Sequence, residues 1–180
     1  MNRRIMIFGD SVTFGANGLN GGWVDILREQ AFKEIETTEG KKKKHIFNLG
    51  VGWDDSRKIL TRVKSEIAAR VHDGWETTVI FLIGTNDSRF LNDVKFMEVD
   101  EFGSNLTKIF EIAREFTDDI YFVEPPRLGK ERFVFGDVNT FDENRLQEFI
   151  TAAREVSSKS NIEFIELADE FLENGVVRAE

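Results

Sequence analysis

A chain of 180 residues with 24 Lys plus Arg, 33 Asp plus Glu and a net charge of −9 at pH 7 suits one soluble globular domain, able to bury about 70% of its unfolded surface without disulfides or metals. The absence of cysteine excludes disulfides and thiolate chemistry, and 17 Phe with only 2 Pro exclude a disordered or collagen-like chain. The acidic balance argues against nucleic acid as a partner, because affinity for a phosphate backbone comes from clustered Lys and Arg.

In chain order, the first predicted strand is Arg4 to Phe8, an apolar run that Gly9 and Asp10 end well short of a signal-peptide core. No stretch approaches the roughly 18 apolar residues that span a bilayer, so a cytoplasmic protein with no membrane span is expected. Lys41 to Lys44, after Gly40, read as a solvated loop leading into a second strand, His45 to Leu49. Asp54, Asp55 and Ser56 read as the N-cap region of the helix carrying Ile59 and Leu60. The third strand, Thr77 to Ile83, contains the unbroken run Val79 to Ile83 expected of a strand covered on both faces. Phe102, Leu106, Ile109, Phe110 and Ala113 then place one apolar stripe along a helix. Asp119 to Val123 forms a fourth strand closed by Pro125 and Pro126. Thr140 with Glu143 reads as a capping box before Leu146, Phe149 and Ile150, and Ile162 to Ile165 is the fifth strand. The alternation predicts a single three-layer α/β/α domain over residues 1–180, built on a five-stranded parallel sheet.

In such sheets ligands sit beyond the carboxyl ends of the strands, where the strand order reverses. Three post-strand loops therefore carry the functional expectation: Gly9-Asp10-Ser11, Asn48-Leu49-Gly50-Val51-Gly52-Trp53, and Gly84-Thr85-Asn86-Asp87. Ser11, between a strand and an expected helix, suits a nucleophile whose oxyanion the helix-terminal N–H groups stabilise, although Asp10 or Ser11 as a plain N-cap accounts for the same residues. Asn86 suits a side-chain donor to an oxyanion, or an Asx-turn ending the strand. Gly50-Val51-Gly52 lets backbone N–H groups face a ligand, as an ordinary strand-to-helix turn also does. The segments Arg89 to Asp100 and Arg127 to Asn139 are expected to shape the mouth, with Phe90, Leu91, Phe133 and Phe135 packing them or lining an acyl pocket.

Gly9-Asp10-Ser11 with Gly15, Asn48 with Gly50, and Gly84-Thr85-Asn86-Asp87 resemble, in order and spacing, the first three sequence blocks of the SGNH hydrolases, also called GDSL esterases and lipases. The resemblance runs from about Arg4 to Val123 and implies a flavodoxin-like fold and ester hydrolysis through a serine acyl-enzyme. It implies that Ser11 is the nucleophile and a backbone oxyanion donor, and that Asn86 is the side-chain donor. The family's glycine donor falls on Trp53, whose backbone N–H serves equally, with Gly52 as the rival for a turn shifted by one. Asp10, Gly52 and Asp87 are expected to line the substrate site. The implied substrates are small acyl or lysophospholipid-like esters, and no cofactor is implied.

The family's Asp-x-x-His, the general base and its orienting carboxylate, is absent. The 2 histidines are His45, at the start of a strand, and His72, after a helix, and neither has an Asp three residues earlier. A serine hydroxyl is a poor nucleophile until a base takes its proton, so the chain is expected to be inactive or impaired. After Ile162 to Ile165 come Leu167 to Leu172 and Asn174-Gly175-Val176-Val177, and the reading is a C-terminal truncation before the catalytic loop and last helix. An apolar strip left bare in this way would favour self-association. The competing readings are a pseudoenzyme that holds an ester or carboxylate without turnover, and a nucleotide binder, which lacks both the dinucleotide fingerprint and the P-loop Lys. The pairs Asp54-Asp55 and Asp118-Asp119, and Glu163 with Glu166, are expected on exposed acidic faces, and no metal site is expected.

Overall fold

The computed structural model describes residues 2–16, 18 and 21–167. The expected C-terminal elements beyond Leu167, including Asn174-Gly175-Val176-Val177, lie outside the described residues.

The chain runs β1 (Arg3–Gly9), α1 (Ser11–Phe14), α2 (Trp23–Thr37), β2 (Lys44–Gly50), α3 (Ser56–Ala68), β3 (Glu76–Leu82), α4 (Thr85–Ser88), β4 (Phe90–Leu91), β5 (Val94–Lys95), α5 (Val99–Arg114), β6 (Ile120–Val123), β7 (Arg132–Phe135), β8 (Asn139–Asp142), α6 (Glu143–Lys159) and β9 (Glu163–Ile165). Five of the strands form one parallel sheet in the order β2-β1-β3-β6-β9, and each expected strand lies within a residue of its place. The registers Gly9↔Gly50 and Gly9↔Leu82 bring the ends of β1, β2 and β3 level. Right-handed crossovers then dictate the layers. The step from β1 to β2 runs one way across the sheet and every later step runs the other, so α2 covers one face while α3, α5 and α6 cover the second. The strand order reverses between β1 and β3, which makes the loops after those strands the two sides of a crevice.

Parallel strands need apolar side chains on both faces, and β1 supplies Met6, Ile7 and Phe8, all fully buried. On the α3/α5/α6 face the expected stripe Phe102, Leu106, Ile109, Phe110 and Ala113 is buried against Met6, Phe8, Val79 and Phe81. The abundance of phenylalanine has a structural use there. Rings pack in series from Phe8 to Phe81 (5.4 Å), Phe81 to Phe110 (5.8 Å), Phe110 to Phe122 (6.2 Å) and Phe122 to Phe164 (5.6 Å), tying β1, β3, α5, β6 and β9 together.

Two local expectations are corrected. Thr140 does not cap α6: it lies in β8, and Asp142 is the cap, accepting from the Arg145 N–H at 3.1 Å. Pairing of β8 with β7 through Arg132↔Asp142 keeps the backbone extended two residues longer than the sequence pattern indicates. Glu143 instead accepts from the Leu128 N–H at 2.8 Å. The mouth segments, expected as loops, form a second, antiparallel sheet in the order β5-β4-β8-β7. Asn92 and Asp93, with φ of 52° and 61°, make the tight turn between β4 and β5. Phe133 packs as expected, stacked on Phe141 at 5.1 Å beside Leu128, Leu146 and Ile150, whereas Leu91 and Phe135 remain exposed.

Candidate active site

β1 delivers Gly9-Asp10-Ser11 to the crevice. A Cβ on Gly9 would lie 2.0 Å from the Thr13 hydroxyl and 2.5 Å from the Leu82 carbonyl, so only glycine permits this turn. Asp10 caps α1 by accepting from the Val12 N–H at 2.9 Å, which leaves Ser11 as the first helical residue, partly exposed. The helix expected behind Ser11 is a single turn of 4 residues, ended by Gly15 in the left-handed conformation. Any help to an oxyanion therefore comes from local N–H groups, because so short a helix has almost no macrodipole.

The second loop is pinned to the first. Asn48 bonds the Gly50 N–H at 3.0 Å and donates to the Phe14 carbonyl at 3.4 Å, while the Val51 N–H donates to the Gly9 carbonyl at 3.0 Å. Trp53 adopts a φ of 66°, a conformation that favours glycine. This is the position five residues after Asn48, and Gly52 has no such backbone requirement.

Arg62 holds the second loop in place, and no sequence pattern singles it out. Its Nε donates to Asp54 at 2.9 Å and its Nη2 to the Leu49 carbonyl at 2.7 Å, so one side chain of α3 staples both ends of the Gly50-to-Trp53 loop. Asp54 and Asp55, expected on an exposed face, are 4% and 3% exposed. Arg62 neutralises the first, and the second caps α3 through the Arg57 and Lys58 N–H groups at 2.9 and 3.2 Å, as expected. Asp118 and the pair Glu163 and Glu166 are exposed as read, whereas Asp119 is half-buried and accepts from the Thr78 hydroxyl at 2.5 Å. Replacing Arg62 by Met leaves the Asp54 carboxylate buried and unpaired, and should cost about 3 kcal/mol in urea unfolding. Asp54→Asn added to Arg62→Met should recover part of that loss.

The third loop brings the amide. Gly84, at φ 131°, turns the chain off β3 into the single turn α4, which carries Asn86. The Asn86 Nδ2 donates to the Asp54 carbonyl at 2.9 Å and reaches the Asp10 carboxylate only at 3.5 Å. One amide hydrogen thus fixes the side chain, and the other is engaged only by the long contact with Asp10. Arg89 donates to the Asn86 carbonyl at 2.7 Å and anchors the turn from behind.

Asp10 and Asp87, expected to line the substrate site, have side chains 1% and 0% exposed and face the protein interior. Asp87 accepts from the Ser56 N–H at 2.8 Å, clamping the second loop to the third, and Asn105 of α5 donates to the Ser56 hydroxyl at 3.0 Å. Burial raises the Asp10 carboxyl to about 6 and the Asp87 carboxyl to about 7. Asp54 adds to the rise at Asp10, as Asp55 and Asp10 do at Asp87. Both histidines lie at the opposite end of the sheet. His45 is the second residue of β2, roughly 16 Å along the strand from Gly50 at about 3.3 Å per residue. It stacks on Trp75 at 4.8 Å, and His72 packs on the same ring at 5.8 Å. Among the described residues no group of three or more His, Cys, Asp or Glu is arranged to hold a metal, and no helix is long and apolar enough to cross a membrane.

The arrangement of Ser11, Asn86 and the Gly50-to-Trp53 loop invites comparison with known proteins. The fold matches the lipase/acylhydrolase from Enterococcus faecalis with a TM-score of 0.65 at 24% identity, over 93% of this chain and 77% of that one. It matches an alpha/beta hydrolase enzyme from the metagenome of Lake Arreo, Spain, with a TM-score of 0.70 at 15% identity, over 96% and 81% of the two chains. The psychrotrophic esterase EstA from Pseudoalteromonas sp. gives 0.65 at 16% identity, over 91% and 76%. No curated protein matches the sequence significantly. The family model described as GDSL-like lipase/acylhydrolase matches residues 7–179, and the chain belongs to that family of carboxylic ester hydrolases.

Proposed function

We propose that the protein hydrolyses small acyl esters through an acyl-enzyme on Ser11, within a single domain. The Ser11 Oγ attacks the ester carbonyl carbon, and the carbonyl oxygen gathers charge between the N–H of Ser11, the N–H of Trp53 and the Asn86 amide. Collapse of this intermediate breaks the bond to the alcohol, which leaves, and water then releases the acid. The observation that carries the reading is Asn86, buried and oriented by the Asp54 carbonyl at 2.9 Å beside the Ser11 turn. The left-handed backbone at Trp53 supports that residue over Gly52 as the loop donor.

The step that needs help is removal of the Ser11 proton. Asp-x-x-His does not occur in the 180 residues, and both histidines are remote from Ser11. In the subtilisin triad, loss of the base costs on the order of a millionfold in rate, so this polypeptide should turn over slowly, with added imidazole accelerating it. The same observation favours a second reading, in which the chain holds an ester or carboxylate without cleaving it.

Incubation with p-nitrophenyl acetate separates the two. The proposal expects p-nitrophenol release, an acetyl mass increase on Ser11, no labelling of Ser11→Ala, and a loss of about 10²- to 10³-fold in rate for Asn86→Ala. Equal release by the unaltered chain and Ser11→Ala overturns the nucleophile, and binding with no release favours the holding module.

A further inference from the structure

Beside the oxyanion donors, four side chains pack in series from the interior to the surface. Phe96 lies against the Arg89 guanidinium, whose carbon is 3.6 Å from the ring centroid. The other neighbour of Arg89 is the Trp53 ring at 5.7 Å, and Trp53 meets Phe135 of β7 at 5.5 Å with the planes inclined by 59°. The inner members are fixed: Arg89 is buried and hydrogen-bonded to the Asn86 carbonyl at 2.7 Å. The outer two are open, Trp53 at 40% and Phe135 at 55% exposed.

Exposed aromatic rings cost solubility and, when free to rotate, offer little to a ligand that must order them. Here the cation behind the indole holds Trp53 in place, and the hairpin of β7 and β8 holds Phe135. Trp53 is also adjacent in sequence to Asp54, whose carbonyl orients the Asn86 amide, so the platform begins one residue from the reacting centre. Two fixed rings at a steep angle give a planar ring one stacked and one edge contact at once, whereas an alkyl chain gains area alone.

We propose that Trp53 and Phe135 form a specificity subsite for a planar aromatic group of the ester substrate, with Arg89 as the residue that positions Trp53. The proposal rests on the reading of Ser11 as the reacting residue. It turns on a departure of this chain: a side chain stands where the backbone conformation favours glycine.

The test uses binding, so it does not depend on turnover. Phenylboronic acid and n-butylboronic acid each add the Ser11 oxygen to boron, with the hydroxyl proton passing to buffer, and calorimetric titration of the 180-residue chain gives both affinities. The expected result is a preference of about tenfold for phenylboronic acid, from two ring contacts each worth a few-fold. The phenyl-to-butyl ratio should fall below about threefold in Phe135→Ala and in Trp53→Leu, with thermal melts confirming that both fold. An unchanged ratio in both variants overturns the subsite, as does a preference for the butyl compound or failure of phenylboronic acid to bind. Ser11→Ala separates the two readings. Loss of both boronates upholds the nucleophile whatever the ratio does, whereas retained binding with a ratio that still depends on Phe135 removes Ser11 and leaves the platform standing.

Discussion

Gly50→Ala is expected to destabilise the protein by about 3 kcal/mol or more and to dismantle the Ser11 turn with it. A Cβ at this position would stand 2.3 Å from the Phe14 nitrogen, 2.7 Å from the Thr13 carbonyl carbon and 2.9 Å from the Asp10 carbonyl oxygen. All three are main-chain atoms, so no rotamer change relieves the overlap, and the end of β2 has to separate from α1. That separation breaks the bond from the Val51 N–H to the Gly9 carbonyl at 3.0 Å and the contact of Asn48 with the Phe14 carbonyl. Stability and site geometry therefore fall together. Gly52→Ala is the matched control: nothing lies within 4 Å of its added Cβ, and the effect should stay within about 0.5 kcal/mol. Urea unfolding of the two variants checks the pair. A Gly50→Ala midpoint close to that of the unaltered chain would mean that the first two loops are not packed backbone to backbone.

The contrast between these two glycines marks what the sequence discloses. Strand ends and post-strand loops were legible because parallel strands are continuous apolar runs and the turns after them need Gly, Asp or Asn. Ser11, Gly50 and Asn86 stood out for that local reason, and the sheet brings their loops to one crevice. Which glycine is indispensable depends on what packs against it from another element, and no local pattern carries that.

The same distinction explains the misses. Asp54 and Asp55 look like any exposed acidic pair, but their burial follows from Arg62 eight residues later and from α4 packing on the loop. The small sheet went unread because β4 and β5 have only 2 residues each, too few for a periodic signal, although the turn at Asn92 and Asp93 gave a hint. The cap of α6 moved from Thr140 to Asp142 because strand pairing with β7, a tertiary event, outweighed a local capping box. Counting five residues from Asn48 singles out Trp53, while its left-handed backbone and its contact with Phe135 arise only from the folded loop meeting β7.

Asp87→Asn should make stability less sensitive to pH. Burial holds the Asp87 carboxyl at about 7, against an ordinary value of 3.8, so the folded chain binds a proton between those limits that the unfolded chain has released. Stability therefore declines as pH rises from about 4 to about 7 and is lowest above that range, and the difference amounts to on the order of 4 kcal/mol. The groups facing Asp87 are Asp55 and Asp10, which oppose its ionisation, and Arg89, whose positive charge favours it, but with no hydrogen bond joining the two. Asparagine keeps the oxygen that accepts from the Ser56 N–H at 2.8 Å and has no charge to bury. The variant should match the unaltered chain near pH 4 and exceed it by about 2–4 kcal/mol at pH 8. Asp10, raised to about 6, leaves both proteins a shared decline that ends one pH unit lower. Surface carboxylates such as Glu29 and Glu101, lowered by their bonds to Lys33 and Arg57, act in the opposite direction in both proteins and cancel in the comparison. Urea unfolding at pH 5 and pH 8 decides the matter. A difference between variant and unaltered chain that is the same at both values would mean that Asp87 stays ionised beside Asn86, and that the clamp on Ser56 is charged.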